Sequence, residues 1–144
     1  MTNIRDDVSL DGTPLVRLES DLLRLDVAPS VGGRGVSLVY KPAGYEFLWR
    51  NQALRLERLE PFSEYDPNFY GGIDELLPND IPEKVNGVDS PDHGELWTTD
   101  FDYEIECNAL ILNGQFPTIG LTYERRTSLR SGEPVVDLAY RITN

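Results

Sequence analysis

The sequence is poor in the residues on which many catalytic and metal sites depend. Its 144 residues include one cysteine, Cys107, and one histidine, His93. A single cysteine excludes an internal disulfide and a cysteine-based zinc cluster. A single histidine excludes any mechanism that takes two imidazoles from this chain. Because the sequence has so little cysteine, we expect a cytoplasmic protein.

Basic residues and long apolar runs are also scarce. Lysine and arginine number 13 against 25 aspartates and glutamates, for a formal net charge of −12. Nucleic acids and anionic membranes both attract basic side chains, so we expect neither as a partner. No apolar run approaches the roughly 18 residues of a membrane-spanning helix. The hydrophobic fraction of 40% predicts a buried core in a single domain, 1–144.

Alternation of apolar and polar residues is the dominant pattern, and no stretch has helical spacing of apolar residues. Such alternation predicts antiparallel strands with one buried face, and many short strands are typical of an all-β sandwich. Turns are predicted at 41–44, 113–114 and 131–132. The predicted strands are 14–19, 23–27, 35–41, 45–49, 54–59, 101–107, 109–112, 118–129 and 136–142.

The segment 60–100 interrupts this pattern with many prolines, glycines and aromatic residues. Loops of this length inside a compact domain are usually functional or disordered, and the aromatic content argues against disorder. Between Glu60 and Glu106 there are 14 acidic residues and one basic residue, Lys84. This imbalance favours a polar neutral or cationic ligand over an anionic one.

His93 is the candidate proton-transfer residue, since its charge changes near neutral pH and it lies at the end of the irregular segment. Trp97 and Trp49 each offer an apolar face to a sugar ring. Core packing is the alternative for both, and it is favoured for Trp49 at the end of a predicted strand. Cys107 lies on the apolar side of its predicted strand, so we expect a buried, inert thiol.

Two segments resemble ligand-binding loops only in part. Residues 32–35 are glycine-rich, but a strand pattern follows where a phosphate-binding loop needs a helix, so a tight turn or bulge is predicted. The segment from Asp66 begins like a calcium loop, but Tyr70 and Leu77 occupy positions where ligands belong. We therefore expect no cofactor and no regular metal site. A less regular calcium site stays open, with Asp66, Asp74 or Asp80 as candidate ligands.

Four motifs, in order along the chain, resemble the galactose mutarotase-like (aldose 1-epimerase) superfamily. Residues 31–49 resemble its first hairpins, with a glycine-rich turn and a Leu-Trp ending. Residues 70–78 resemble its Gly-Gly…Pro segment, and residues 91–97 its His-Gly…Trp motif. Residues 136–144 resemble a strand of the family that ends in asparagine. The resemblance covers nearly the whole chain from about Leu15.

This resemblance implies an antiparallel β-supersandwich and an enzyme that interconverts sugar anomers. In the family a glutamate removes the anomeric hydroxyl proton and a histidine protonates the ring oxygen, and both belong to later parts of the fold. Members are longer than this chain, which we expect to be an N-terminal portion that lacks both groups. The resemblance makes His93 the catalytic-site residue in contact with the sugar. It also implies a cleft lined by Asp74, Glu75, Asp92, Glu95 and Trp97.

Two other functions remain open at this point. One is a carbohydrate-binding β-sandwich module without catalysis, assisted by calcium. The other is a structural β-domain whose acidic loop is a surface for a partner. In each case we also expect the chain to associate with itself through uncovered strand edges, because unpaired edges readily accept another strand.

Overall fold

The computed structural model describes residues 2–144, and it is all-β, as the sequence predicts. The helices within these residues are three-residue 3₁₀ turns at Lys41–Ala43, Asp66–Asn68 and Leu96–Thr98. The strands are β1 (Asn3–Leu10), β2 (Thr13–Glu19), β3 (Leu23–Ala28), β4 (Arg34–Tyr40), β5 (Tyr45–Glu46), β6 (Glu83–Val85), β7 (Val88–Ser90), β8 (Asp102–Glu106), β9 (Ala109–Phe116), β10 (Leu121–Leu129) and β11 (Val136–Thr143).

Two antiparallel meanders form the layers of a sandwich. The first sheet has the order β1-β2-β3-β4-β5, the second has the order β11-β10-β9-β8, and β6 and β7 form a separate hairpin. Inward-facing apolar residues of both sheets make the main core, as expected for strands that alternate between a wet and a dry face. Its fully buried members include Leu18, Leu25, Leu110, Leu112 and Phe116.

The glycine-rich segment 32–35 forms the turn that joins β3 to β4 and the start of β4, as predicted. Gly32 and Gly33 have positive φ angles of 64° and 65°, and a register shift lies between Asp26 and Val27 on β3. Arg34 opens β4 directly after this turn and is 2% exposed. The turn therefore places the arginine side chain in the interior of the sandwich.

Two local predictions are wrong, and one strand was missed. Segment 54–59 is not a strand: Leu56 is buried, but its backbone bonds with the side chains of Asp11 and Thr13. Residues 113–114 lie inside β9, and the turn comes later, at 117–120. The strand β1 was not predicted, because three successive exposed polar residues, Arg5, Asp6 and Asp7, interrupt its alternation where the register with β2 shifts.

The strand at 101–107 also differs from its prediction. Strand β8 lies at the edge of its sheet, and Tyr103 and Ile105 remain about 40% exposed, at 42% and 41%. Cys107 lies in the turn after β8 with a φ of 49°, and its thiol is exposed. The alternation identified the strand correctly, but an edge strand has too few neighbours to bury its apolar face.

Among residues 2–144, no helix has the length and apolar character that crossing a bilayer requires.

Candidate functional site

His93 is held at the end of the irregular segment by its own backbone. Its N–H donates to the carbonyl oxygen of Asp80 at 2.7 Å, and its φ is 59°. The next residue, Gly94, forms a parallel bridge with Leu77, and a Cβ at Gly94 would lie 2.1 Å from the Leu77 carbonyl oxygen. Only glycine allows this approach, so Gly94 sets where His93 emerges from the loop.

The imidazole of His93 is oriented by the preceding carboxylate. Its Nδ1 lies 2.7 Å from Oδ1 of Asp92, and Nε2 lies 3.6 Å from Oδ1 of the exposed Asp80. The backbone N–H of Tyr65 bonds to Oδ2 of Asp92 and, with the His93 contact, lowers the pKa of that carboxyl. An ionised carboxylate only accepts, so Nδ1 donates the proton and Nε2 faces outward. The His93 side chain is 20% exposed.

Tyr65 supports the imidazole from beneath. The two rings are stacked, with centroids 3.9 Å apart and planes inclined by 15°. The Trp97 ring meets Tyr65 edge-on at 5.2 Å, and the Tyr65 hydroxyl donates to Asp74 at 2.8 Å. Burial and this carboxylate both raise the pKa of Tyr65, so the hydroxyl stays protonated. Sequence reasoning missed Tyr65, which lies in an aromatic-rich segment without a motif of its own.

Asp74 is a buried anchor beneath His93 and is not in contact with the imidazole. Its Oδ2 bonds to Arg34 Nη2 at 2.7 Å, and both side chains are at most 6% exposed. Arg34 also donates to the Gly71 carbonyl at 2.6 Å. A buried ion pair of this kind is costly to break, because the remaining charge would be left unpaired. Asp74 therefore fixes Tyr65 and the Gly-Gly segment to β4.

Glu75 faces a different cluster, although it follows Asp74 directly. Its carboxylate accepts from Tyr123 at 2.6 Å, from Arg125 at 2.9 Å and from Tyr140. Burial and the hydrogen bond to Glu75 raise the pKa of Tyr140 to about 12. Glu75 therefore ties the irregular segment to the second sheet and does not join His93. Arg125 could have been identified from the sequence, because it is the one charged residue on the inward face of β10.

Glu95 and Trp97 are also internal. Glu95 is 8% exposed, and its Oε1 accepts from the backbone N–H and the hydroxyl of Thr118. Trp97 is 4% exposed, and its indole N–H donates to the Asp92 carbonyl at 3.1 Å. The Trp97 ring supports Tyr65 and has no face open to a ligand. Of the residues predicted to line the cleft, only Asp92 contacts His93 through its side chain.

The exposed tryptophan is Trp49, which the sequence had favoured for the core. It is 62% exposed, and its ring stacks on Phe69 with centroids 6.0 Å apart and planes inclined by 25°. A Cβ at Gly71 would lie 2.7 Å from the Trp49 ring, so only a glycine lets the backbone of the Gly-Gly segment pack directly against this ring. Phe69 in turn contacts Tyr65 at 5.7 Å. We call the rings of this run that reach solvent the aromatic surface: Trp49, Phe69 and His93. Tyr65, which is 8% exposed, is the buried ring that joins Phe69 to His93.

An open groove of about 560 Å³ is lined in part by Asp92, the carboxylate that contacts His93. Its walls are the turn at 62–64, the β6–β7 hairpin and Asp92. Lys84 on this hairpin is paired with Asp89 at 3.1 Å, and the buried Arg34 is paired with Asp74. The charges next to His93 are therefore carboxylates, and both nearby bases already have acidic partners.

No group of three or more His, Cys, Asp or Glu side chains within residues 2–144 is arranged to hold a metal ion. The three aspartates considered for calcium are spread out. Asp66 lies in a 3₁₀ turn, Asp74 is paired with Arg34, and the Asp80 side chain is 81% exposed.

Comparison of the sequence with protein-family models and with curated proteins finds no match.

Proposed function

We propose that this chain is a carbohydrate-binding β-sandwich that resembles the aldose 1-epimerases and holds a neutral sugar against the aromatic surface. The observation that carries the proposal is the continuous run of ring contacts from exposed Trp49 to the oriented imidazole of His93. Sugars present apolar C–H faces and a rim of hydroxyls. Aromatic rings pack against the former, and an oriented polar group selects the latter.

His93 supplies the polar contact in this proposal. With Nδ1 bonded to Asp92, Nε2 accepts a hydrogen bond from a sugar hydroxyl, or donates to the ring oxygen when the imidazole is protonated. Either contact requires the ring to be held in one orientation. The stack on Tyr65 and the bond to Asp92 provide that orientation.

The charge around His93 supports a neutral sugar over a phosphorylated or acidic one. Asp92 and Asp80 lie on either side of the imidazole, and Lys84 is already paired with Asp89. An anionic ligand would meet two carboxylates and no unpaired base among these neighbours. A cytoplasmic location belongs to the same proposal and rests on the single cysteine.

Interconversion of anomers is the catalytic form of the proposal, and binding without catalysis is the second candidate. Catalysis requires an acid at the ring oxygen and a base at the anomeric hydroxyl, acting on one sugar. The second candidate is favoured by the exposed Trp49–Phe69 stack, which offers a binding face without any titratable group. The two candidates share one site and differ in whether a base is present.

Calorimetric titration of the chain with galactose and glucose tests the proposal. We expect millimolar binding that falls by about tenfold, or about 1.4 kcal/mol, in His93→Ala. Asp21→Asn is the matched control, because it removes an exposed carboxylate in the turn between β2 and β3, outside the contacts of His93 and Lys84. Absence of binding to either sugar, or equal binding by His93→Ala, would contradict the proposal.

A further inference from the structure

The chain has two Asn-Gly pairs, and the fold places them in opposite surroundings. Asn86 and Gly87 are the turn between β6 and β7, whereas Asn113 and Gly114 lie inside β9. Asparagine followed by glycine is chemically labile, because glycine has no side chain to hinder its own backbone nitrogen. That nitrogen attacks the asparagine side-chain carbonyl wherever the backbone is free to bring the two groups together.

The turn at 86–87 leaves both reacting groups free. The φ angles are 52° at Asn86 and 82° at Gly87, as in the two-residue hairpin turns that favour this dipeptide. Both residues are exposed, and a Cβ at Gly87 would meet nothing within 4 Å. Within residues 2–144, neither the Asn86 side chain nor the Gly87 N–H has a hydrogen-bond partner.

The turn also allows the rotation that the attack requires. Two-residue hairpin turns of types I′ and II′ differ in the orientation of the peptide group between the two turn residues. Rotating the peptide group between Asn86 and Gly87 brings the glycine nitrogen towards the asparagine side chain. The flanking Val85–Val88 pair stays closed, so β6 and β7 need not separate.

The pair in β9 has no such freedom. Asn113 is paired with Asp102 of β8 and with Glu124 of β10, so its backbone is held on both sides. Gly114 packs against the Phe101 ring, which a Cβ at this position would approach to 2.3 Å. Rotation of the peptide group between Asn113 and Gly114 therefore requires the sheet to open locally, which costs free energy.

We propose that Asn86 is a site of spontaneous deamidation in the folded chain and that the sheet protects Asn113. The Gly87 nitrogen forms a bond to Cγ of Asn86, and the Cγ–Nδ2 bond breaks. The Gly87 amide proton leaves with Nδ2 as ammonia, and a succinimide ring remains. Water then opens the ring at either carbonyl, which gives aspartate or isoaspartate. Both products replace a neutral amide with a carboxylate.

The two products affect the hairpin differently. Aspartate tolerates the left-handed backbone as asparagine does, so the turn keeps its form. Isoaspartate adds one carbon to the main chain of a two-residue turn, so the Val85–Val88 pair cannot close in its present register. This hairpin is a wall of the groove that Asp92 also lines. The inference does not rest on the proposed function, because it uses no residue of the aromatic surface.

Peptide mass mapping of the whole chain, incubated at neutral pH, tests the proposal. We expect the peptide with Asn86 to convert from amide to acid at least about tenfold faster than the peptide with Asn113. In denaturant, where no sheet protects either pair, the two rates should be similar. Equal rates in the folded chain, or an Asn86 that reacts only in denaturant, would overturn the proposal. A rate difference that persists unchanged in denaturant would overturn the protection by the sheet.

Matched glutamine variants and the products test the chemistry. Glutamine keeps the amide but forms the larger ring much more slowly, so Asn86→Gln should lose the fast reaction and Asn113→Gln should keep it. Circular dichroism checks that both variants are folded. The native chain should yield isoaspartate together with aspartate, and aspartate alone would overturn the succinimide route. Hydrogen exchange in residues 83–90 should be faster in the isoaspartyl chain than in the aspartyl chain, and equal exchange would overturn the loss of register.

Discussion

One carboxylate, that of Asp92, bonds both to the imidazole of His93 and to the backbone N–H of Tyr65, the residue on which that imidazole is stacked. The ring centroids are 3.9 Å apart. The orientation of His93 therefore depends on a contact between two parts of the irregular segment that are 27 residues apart. Removing the carboxylate of Asp92 or the imidazole of His93 should change sugar binding more than it changes the fold.

The two tryptophans should respond oppositely to truncation. Trp97→Ala removes a buried ring and should destabilise the protein by ~3–5 kcal/mol. Trp49→Ala removes an exposed ring and should change the free energy of unfolding by at most ~0.5 kcal/mol, while abolishing measurable sugar binding. Denaturant unfolding and calorimetric titration of both variants check this. A large loss of stability in Trp49→Ala, with sugar binding retained, would contradict the assignment of the aromatic surface.

Gly94 should tolerate alanine far less well than Gly87 does. Both have positive φ, of 77° and 82°, but a Cβ at Gly94 meets the Leu77 carbonyl, whereas Gly87 has open space. Gly87→Ala should lower the free energy of unfolding by only ~1–2 kcal/mol, which is the strain of an alanine in the left-handed conformation. Gly94→Ala should lower the free energy of unfolding by at least ~2 kcal/mol more than Gly87→Ala does. Denaturant unfolding of both variants measures this difference. Equal costs would show that the bridge between Leu77 and Gly94 does not hold the loop.

Acid should release the loop that carries His93. The Tyr65 N–H bond, together with the His93 contact, lowers the pKa of Asp92 below its unfolded value of about 4. A lowered folded pKa contributes stability above the unfolded pKa, and this contribution is lost as the pH falls through the folded pKa. The Asp92 carboxyl carbon, followed by NMR, should therefore titrate below ~4. Asp92→Asn should reduce the acid dependence of stability, and an unchanged profile would contradict this linkage.

The sandwich could be predicted from the sequence because each strand carries a local signal. Alternation in segments such as 136–142 depends on neighbouring residues, and the turn at 41–44 is recognised by its proline and glycine. Edge position is not a local property, so the sequence did not show that Tyr103 of β8 stays exposed. Cys107 was expected to be buried because the alternation was extended one residue past the end of the strand, into the turn. The same alternation occurs in central and edge strands, and only the count of neighbouring strands decides burial.

The candidate site was predictable only in part for a similar reason. His93 and Asp92 are adjacent in sequence, so their contact follows from the motif itself. The sequence favoured Trp49 for the core and Trp97 for the cleft, and the structure has the reverse. Which tryptophan is buried depends on how Gly71 and Tyr65 pack between distant segments. The resemblance placed both Asp74 and Glu75 in one cleft, but adjacent residues of an extended chain point in opposite directions.

The chain should bind sugar without accelerating its mutarotation. The reaction needs an acid and a base placed on one sugar, and each such group contributes roughly 10²–10⁴-fold. His93 is the one imidazole of the chain, and Glu75 and Glu95 are bonded elsewhere. Polarimetry of freshly dissolved α-D-galactose should give the same rate with the chain and with buffer. Acceleration that His93→Ala abolishes would show that these residues form a complete catalytic site.

NMR titration of the chain with galactose tests most directly whether the aromatic surface binds sugar. The chain has two indole N–H groups and one imidazole, so each signal can be assigned by a single substitution. We predict that galactose shifts the signals of Trp49 and His93, while the buried indole of Trp97, bonded to the Asp92 carbonyl, moves little. Saturable shifts confined to other parts of the sandwich, or no shifts at all, would contradict the account.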